Sequence, residues 1–108
     1  MNVHPQRFAS DASDLYVSTD TGVMHCASTG CKSLDPFYSG ASSTFLALDT
    51  NNLYIATVDG RVLECSRSSC ASPKELASGQ GTIGSISLDA THVYWTATDL
   101  GLVQRIVK

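Results

Sequence analysis

Three stretches of the chain share one pattern of apolar and polar positions. Each begins with small or apolar residues, passes an Asp-x-x-polar link, and continues into a mainly apolar run that contains a tyrosine. The three stretches are residues 8–19, 46–57 and 86–97. Their tyrosines, Tyr16, Tyr54 and Tyr94, lie 38 and 40 residues apart. A recurrence at this period indicates a protein built from structural repeats.

Each repeat predicts short strands, named a to d in chain order. Strand a is short and rich in small residues, whereas strand b is β-branched and aromatic, as a half-buried pleated surface prefers. Strand c is expected at residues 23–26, 62–65 and 103–106, and strand d at residues 33–39 and 73–78. No segment shows sustained 3.6-residue periodicity, so no helix is predicted.

Turn residues separate these strands. Asp49 and Asn52 lie between strands a and b, where such side chains bond the backbone two residues on. His92 occupies the Asn52 position in the third repeat, so a turn role is expected for it. Asp59 and Gly60 indicate a tight hairpin between strands b and c, because glycine adopts a positive φ without steric cost.

Four strands in about 40 residues, repeated along a chain, are typical of a β-propeller blade. A parallel β-helix is the alternative, but its coils are shorter and would not need two cysteines per unit at a hairpin. The predicted fold is all-β, with β-propeller blades of four antiparallel strands and about two and two-thirds blades per chain. Within one partial propeller domain over residues 1–108, blade 1 spans about 7–40, blade 2 about 44–80 and partial blade 3 about 84–108.

The third repeat carries the most recognisable motif, in which Ala97 and Thr98 interrupt a Tyr-Trp-Thr-Asp sequence between Tyr94 and Asp99. The chain resembles the YWTD-type propeller of lipoprotein receptors. It resembles more closely the bacterial YWTD-like repeats that carry a cysteine pair after the third strand. The resemblance implies about six blades in a closed ring. Such rings often serve as binding platforms, and the resemblance implies no single activity.

The number of repeats raises the question of how a ring is completed. A propeller needs about four to eight blades, and the third repeat ends at Lys108 after strand c. The chain is therefore expected to be a fragment of a longer propeller or to complete a ring with other copies. Exposed blade faces and strand edges favour association, and a two-fold dimer would supply about six blades. We expect a homo-oligomer, with a dimer favoured.

Composition and charge restrict the function classes. A hydrophobic content of 43% with 16% charged residues indicates a packed globular protein. The net charge is −3, and the seven basic residues are scattered, which argues against a nucleic-acid partner because phosphate binding needs clustered Lys and Arg. No apolar stretch is long enough for a membrane span, and the first residues lack the features of a signal peptide.

Four cysteines form two repeat-equivalent pairs, Cys26 with Cys31 and Cys65 with Cys70. The common spacing predicts two local disulfides that join strand c to strand d, each stabilising the fold by about 2 kcal/mol. The alternative is a single zinc site that uses all four cysteines, which is disfavoured because equivalent residues of neighbouring blades lie apart. Disulfides indicate an oxidising compartment: secreted, periplasmic or cell surface.

Two sets of residues are candidates for a loop binding surface. Asp20, Asp59 and Asp99 recur at the turn between strands b and c, where equivalent acids could bind a calcium ion or a basic partner. The alternative is that each Asp shapes its own hairpin. Phe37 and Tyr38 have no aromatic counterparts in the second repeat, so a ligand contact or a contact between chains is expected there.

No arrangement of residues predicts catalysis, a resident metal or a cofactor. His25 is expected on a solvent-facing position of strand c, His4 lies before the first repeat, and the serines lack a G-x-S-x-G context. The leading hypothesis is a non-enzymatic propeller scaffold, exported and disulfide-stapled, that binds a protein or a glycan. The alternatives are a purely structural, self-associating module of a surface protein, and part of a propeller enzyme whose catalytic residues lie outside this chain.

Overall fold

A computed structural model of the protein describes residues 8–10, 13–19, 21–27, 30, 34–40 and 43–108. The described residues form eleven strands in three antiparallel sheets and contain no helix, which confirms the all-β prediction. Accordingly, this part of the chain offers no apolar helix of a length that would cross a bilayer.

Each sheet is a meander in which neighbours along the chain are also hydrogen-bonded neighbours. The first sheet contains β1 (Phe8–Ser10), β2 (Asp14–Thr19), β3 (Gly22–Ala27) and β4 (Asp35–Ser39). The second contains β5 (Ser43–Leu48), β6 (Asn52–Thr57), β7 (Val62–Ser66) and β8 (Ser69–Ala77). The third contains β9 (Ile83–Leu88), β10 (His92–Ala97) and β11 (Leu102–Val107).

The predicted strands a to d correspond to these strands in order. Strand d of the second repeat begins earlier than residues 73–78, because β8 pairs with β7 from Ser69 onward, directly after a two-residue turn. Within the described residues the third sheet has three strands, and β11 forms its outer edge.

Each sheet has two faces, which we name A and B. Paired residues of antiparallel strands lie on the same face, and the tyrosines of β2, β6 and β10 define face B. In the second sheet, face A carries aliphatic residues and a cysteine: Leu46, Leu48, Leu53, Ile55, Leu63 and Cys65. Face B of that sheet carries a second apolar set: Phe45, Ala47, Tyr54, Ala56 and Val62.

Both faces of the second sheet are covered by a neighbouring sheet. Its face A packs in one cluster with Tyr16, Val23 and Tyr38 from face B of the first sheet. Its face B packs in a second cluster with Val93 and Trp95 from face A of the third sheet. Burying each large aliphatic side chain in such a cluster contributes roughly 1.5–3 kcal/mol. The repeated unit of packing is therefore face B of one sheet against face A of the next.

The β6–β7 hairpin also connects the second and third sheets. Gly60 has a φ of 83°, as predicted for this turn, and its carbonyl accepts a hydrogen bond from the Gln80 amide at 3.0 Å. A Cβ atom at Gly60 would lie 2.7 Å from the backbone nitrogen of Gly81. The absence of a side chain at this position therefore lets the hairpin contact the segment that leads into β9.

Candidate functional site

The turns between β5 and β6 and between β9 and β10 line an open cleft of about 420 Å³. The two turns are repeat-equivalent and meet at one end of the second and third sheets. The polar groups of the cleft include the Asp49 and Asp89 carboxylates and the Lys108 ammonium group. Leu48 and Leu88 provide apolar lining. The cleft thus combines both signs of charge with small polar and apolar groups.

Both carboxylates are oriented by their own turns. Asp49 Oδ1 accepts hydrogen bonds from the Asn51 and Asn52 amides at 2.9 and 2.7 Å. Asp89 Oδ1 accepts from the amides of Thr91 and His92 at 2.8 and 2.7 Å. These bonds confirm the turn chemistry predicted from the Asp-x-x-polar link and the turn role expected for His92.

A tyrosine from strand b holds the second oxygen of each carboxylate. The Tyr54 hydroxyl donates to Asp49 Oδ2 at 3.4 Å, and the Tyr94 hydroxyl donates to Asp89 Oδ2 at 2.6 Å. The Tyr94 bond is the main cause that lowers the pKa of Asp89, assisted by the two turn amides. Burial is the main cause that raises the pKa of Tyr54. Both carboxylates are therefore ionised acceptors across the physiological range.

Lys108 closes the cleft over Asp49. Its Nζ lies 3.0 Å from Asp49 Oδ2 and 5.9 Å from the centre of the Tyr54 ring. Burial raises the pKa of Asp49, but the hydrogen bonds from Asn52, Lys108 and Asn51 outweigh it, and the net pKa is lowered. An ion pair therefore links the end of the third sheet to the first turn of the second.

Arg67 makes the equivalent link between the second and first sheets. Its Nη2 lies 2.8 Å from Asp14 Oδ2, and its guanidinium lies 6.0 Å from the Tyr16 ring centre. Its Nη1 also donates to the Asp49 carbonyl at 3.1 Å. Arg67 and Lys108 each stand two residues after the first-cysteine position of their repeat, Cys65 and Ile106. This shared spacing is a sequence signal that the motif analysis missed.

Asp14 also contacts His25, whose Nε2 lies 2.7 Å from Asp14 Oδ1. This bond is the main cause that lowers the pKa of Asp14, and Arg67 lowers it further against the opposing effect of burial. His25 is half-buried and its ring lies against Tyr16 with a centroid distance of 4.8 Å, so it does not simply face solvent as expected. Asp14, His25 and Arg67 form a structural network between sheets.

Two of the acids predicted as a binding ring, Asp59 and Asp99, lie at the opposite end of the sheets. Asp59 contacts its own turn, and Asp99 contacts the segment that leads into β9. Asp59 accepts hydrogen bonds from Thr57 Oγ1 and from Arg61 Nε, and both lower its pKa. Asp99 Oδ2 accepts from the amide and the hydroxyl of Thr82 at 2.9 and 3.0 Å. Asp20 lies outside the described residues. A ligand role for these acids stays a prediction.

Phe37 and Tyr38 lie on β4 rather than in a loop. Tyr38 is 8% exposed and packs in the cluster between the first and second sheets. Phe37 is half-buried, with its ring edge against Tyr16 at a centroid distance of 5.0 Å. Both residues contribute to the interior of the chain, and a further contact with a ligand or a second chain stays a prediction.

Two of the described cysteines form a crosslink within the second sheet. Cys65 and Cys70 form a disulfide with a Cα–Cα distance of 4.9 Å, as predicted, and both are buried. Cys26 is buried on β3, while Cys31 lies outside the described residues. Among the residues that the structure describes, no three His, Cys, Asp or Glu side chains are grouped as metal ligands would be.

Neither the protein-family models nor the curated proteins include a match to the chain.

Proposed function

We propose that the chain is β-propeller blade material of the YWTD-like kind and acts as a non-enzymatic binding scaffold. The observation that carries this proposal is the stack of equivalent meanders, in which face B of one sheet packs on face A of the next. Sheets that stack in this way around an axis are the basis of a propeller ring. The ring itself is completed by further blades.

The two ends of the stack are the expected binding surfaces. Repeat scaffolds place their ligands on loops that a rigid framework holds in position. At one end the turns at Asp49 and Asp89 line the cleft with Lys108, and at the other end lie the turns at Asp59 and Asp99. A polar ligand with hydroxyl groups, such as a glycan, or a peptide with a basic group fits this lining.

The Cys65–Cys70 disulfide supports export of the scaffold. Both cysteines belong to the cluster between the first and second sheets, so the crosslink is part of the folded interior. Disulfides of this structural kind persist in secreted, periplasmic or cell-surface proteins.

Two measurements on the non-reduced chain test the proposal. Electron microscopy of the assembled particle is expected to show a closed ring, and a linear filament would contradict a propeller. A glycan array and a panel of basic peptides are expected to reveal a bound ligand. Filling the cleft with Thr50→Trp and Ala90→Trp, or neutralising the other end with Asp59→Asn and Asp99→Asn, would locate it. The absence of any bound ligand would favour the purely structural, self-associating module.

A further inference from the structure

We propose that Asp89 and Tyr94 form a binding site for a guanidinium or ammonium group that a basic side chain of a peptide or protein partner presents. This inference deepens the proposed binding function, on which it rests, by naming the chemistry of the ligand. Asp89 borders the cleft, but its Oδ2 atom accepts the hydrogen bond of Tyr94 on face B of the third sheet. The proposed site therefore lies on face B, beside the cleft.

In the second sheet, the equivalent pair binds a cation of the neighbouring sheet. The Lys108 Nζ lies 3.0 Å from Asp49 Oδ2 and 5.9 Å from the centre of the Tyr54 ring. These distances are those of an ion pair and of a cation–π contact. Asp89 and Tyr94 follow Asp49 and Tyr54 by 40 residues, so the third sheet repeats the pair in register.

The first sheet also binds a cation with a tyrosine and an acid. The Arg67 guanidinium lies 6.0 Å from the centre of the Tyr16 ring, and its Nη2 lies 2.8 Å from Asp14 Oδ2. The acid stands two residues before the tyrosine here, and five residues before it in the second sheet. The combination of ring, carboxylate and cation is the same in both sheets, and in both the cation comes from the sheet that packs on face B.

In the third sheet, the acid and the ring are accessible from outside the chain. The Asp89 side chain is 48% exposed, and among the described residues its basic neighbour within ion-pair distance is His92, with Nδ1 at 3.9 Å, and no Lys or Arg. Tyr94 is half-buried, whereas Tyr16 and Tyr54 are fully buried. A basic side chain could therefore reach both members of the pair.

The carboxylate is oriented before any ligand binds. Asp89 Oδ1 accepts hydrogen bonds from the amides of Thr91 and His92 at 2.8 and 2.7 Å. The Tyr94 hydroxyl donates to Oδ2 at 2.6 Å and so fixes the carboxylate beside the ring. Because the acceptor is already in place, binding a cation costs little further ordering of the side chains.

Arg105 is the charged group that opposes a cation at this site. It pairs with Tyr94 across the β10–β11 ladder, so both side chains lie on face B. It lowers the pKa of Tyr94 against the larger rise that Asp89 causes. In the first sheet, the equivalent His25 and the incoming Arg67 bind different oxygens of one carboxylate. A basic residue at this position of strand c is therefore compatible with a cation from the neighbouring sheet.

The first test is an NMR titration of the chain with the peptide acetyl-Gly-Arg-Gly-amide at constant ionic strength. A control peptide carries citrulline instead of arginine and keeps the shape without the charge. We expect the arginine peptide to shift the Tyr94 ring signals and the Asp89 amide signal in a saturable manner, with a Kd of about 10–100 mM. Equal shifts with both peptides, or no saturable shift with the arginine peptide, would overturn the inference.

The second test assigns the binding to the carboxylate. Asp89→Asn keeps the Oδ1 acceptor of the turn, removes the charge and is expected to weaken binding at least about threefold. The matched control Glu75→Gln removes the same charge from a 49% exposed side chain of β8 and is expected to bind as the wild type does. Equal weakening by both variants would contradict a specific site. Tyr94→Leu, which removes the ring, should give a similar loss and remains informative if D89N fails to fold.

The third test uses the equivalent pair of the second sheet. Lys108→Ala removes the cation from Asp49 and Tyr54. The arginine peptide is then expected to shift the Tyr54 ring signals, which it leaves unchanged in the wild type. A Tyr54 ring that does not respond in K108A would contradict the equivalence of the two pairs and with it the inference.

Spectra without peptide at rising protein concentration identify the source of the basic group once the arginine peptide is known to bind. Tyr94 shifts that grow with protein concentration, and that the peptide competes away, assign the group to another copy of the chain. Tyr94 signals that are independent of protein concentration assign it to a separate peptide or protein.

The outcome is separable from that of the scaffold proposal. Binding of the arginine peptide without a closed ring supports the cation site and contradicts the propeller scaffold. A closed ring that binds a glycan, with no response of Tyr94 to the arginine peptide, supports the scaffold and contradicts the cation site.

Discussion

Face B of the second sheet and face B of the third sheet carry the same residue pattern but differ in burial. Val62 and Tyr54 are fully buried between sheets, whereas at the same positions of the third sheet Val103 is exposed and Tyr94 is half-buried. The residue type is unchanged, so the difference comes from the neighbouring sheet. Each repeat therefore encodes a face that is suited to burial, and that face becomes buried only where a neighbouring sheet packs on it.

The largest expected difference in stability is between lysine variants of the two equivalent valines, Val62 and Val103. Val62→Lys would bury an unpaired ammonium group and is expected to lower the free energy of unfolding by about 4 kcal/mol. Val103→Lys is expected to change it by less than about 1 kcal/mol at a concentration where the chain is monomeric. Urea unfolding followed by tryptophan fluorescence measures both. Similar losses in the two variants would mean that face B of the third sheet is already covered within the chain.

Two glycines with positive φ give the next largest contrast. Gly60→Ala would place a Cβ atom against the backbone of Gly81 and is expected to cost about 3 kcal/mol. At Gly101, φ is 67° and the added Cβ meets no heavy atom within 4 Å, so Gly101→Ala is expected to cost about 1 kcal/mol. Thermal unfolding monitored by circular dichroism ranks the two. Equal costs would argue against the close contact between the β6–β7 hairpin and the segment before β9.

The disulfide of the second sheet has an intermediate expected effect. The crosslink joins β7 to β8, and the third sheet has Ile106 at the first-cysteine position. Replacing both Cys65 and Cys70 by alanine is expected to lower the free energy of unfolding by about 2 kcal/mol. Urea unfolding of the variant and of the wild type measures the loss. Dithiothreitol cannot lower the variant's free energy of unfolding through this disulfide, because the variant lacks it. A double variant as stable as the wild type would show that the packing alone holds β7 against β8.

The smallest expected effect concerns the two cations that link neighbouring sheets. Arg67→Met removes the ion pair with Asp14 and the bond to the Asp49 carbonyl, and is expected to cost about 1–2 kcal/mol. Lys108→Met removes one ion pair, with Asp49, and is expected to cost less than about 1 kcal/mol. Unfolding at pH 7 in low and high salt measures both, because salt weakens exposed pairs more.

The ion pair between Arg67 and Asp14 predicts a pH dependence of the stability. The folded pKa of Asp14 is lowered, so its contribution is present above the ordinary Asp pKa and is lost as the pH falls through the folded value. The stability difference between wild type and R67M should therefore be constant above about pH 5 and shrink below about pH 4. A difference that grows in acid would show that Arg67 acts through another group.

The strands and turns could be predicted from the sequence because short-range chemistry specifies them. The spacing of Tyr16, Tyr54 and Tyr94 located the central strand of each sheet, and the Asp-x-x-polar link located the turns around Asp49 and Asp89. The spacing of Cys65 and Cys70 likewise predicted their disulfide, since the two residues lie near each other on any β-hairpin of this length.

The candidate site was less predictable because its members come from different repeats. Lys108 reaches Asp49 across more than a whole repeat, and no local pattern reports that distance. Tyr38 was expected at a ligand or chain contact, yet the second sheet packs over it. An aromatic residue without a counterpart in the next repeat can fill a core or mark a surface, and the sequence does not distinguish the two.

By itself, the sequence determined the order of strands, the turns between them and the two-faced character of each sheet, because these follow from interactions within a few residues. Only the tertiary structure decided which faces meet and which acid each cation reaches. The tertiary structure likewise determined that Val103 is exposed whereas Val62 is part of the core. Stacking joins residues about 40 positions apart through contacts between whole surfaces, and that information is not contained in any single repeat.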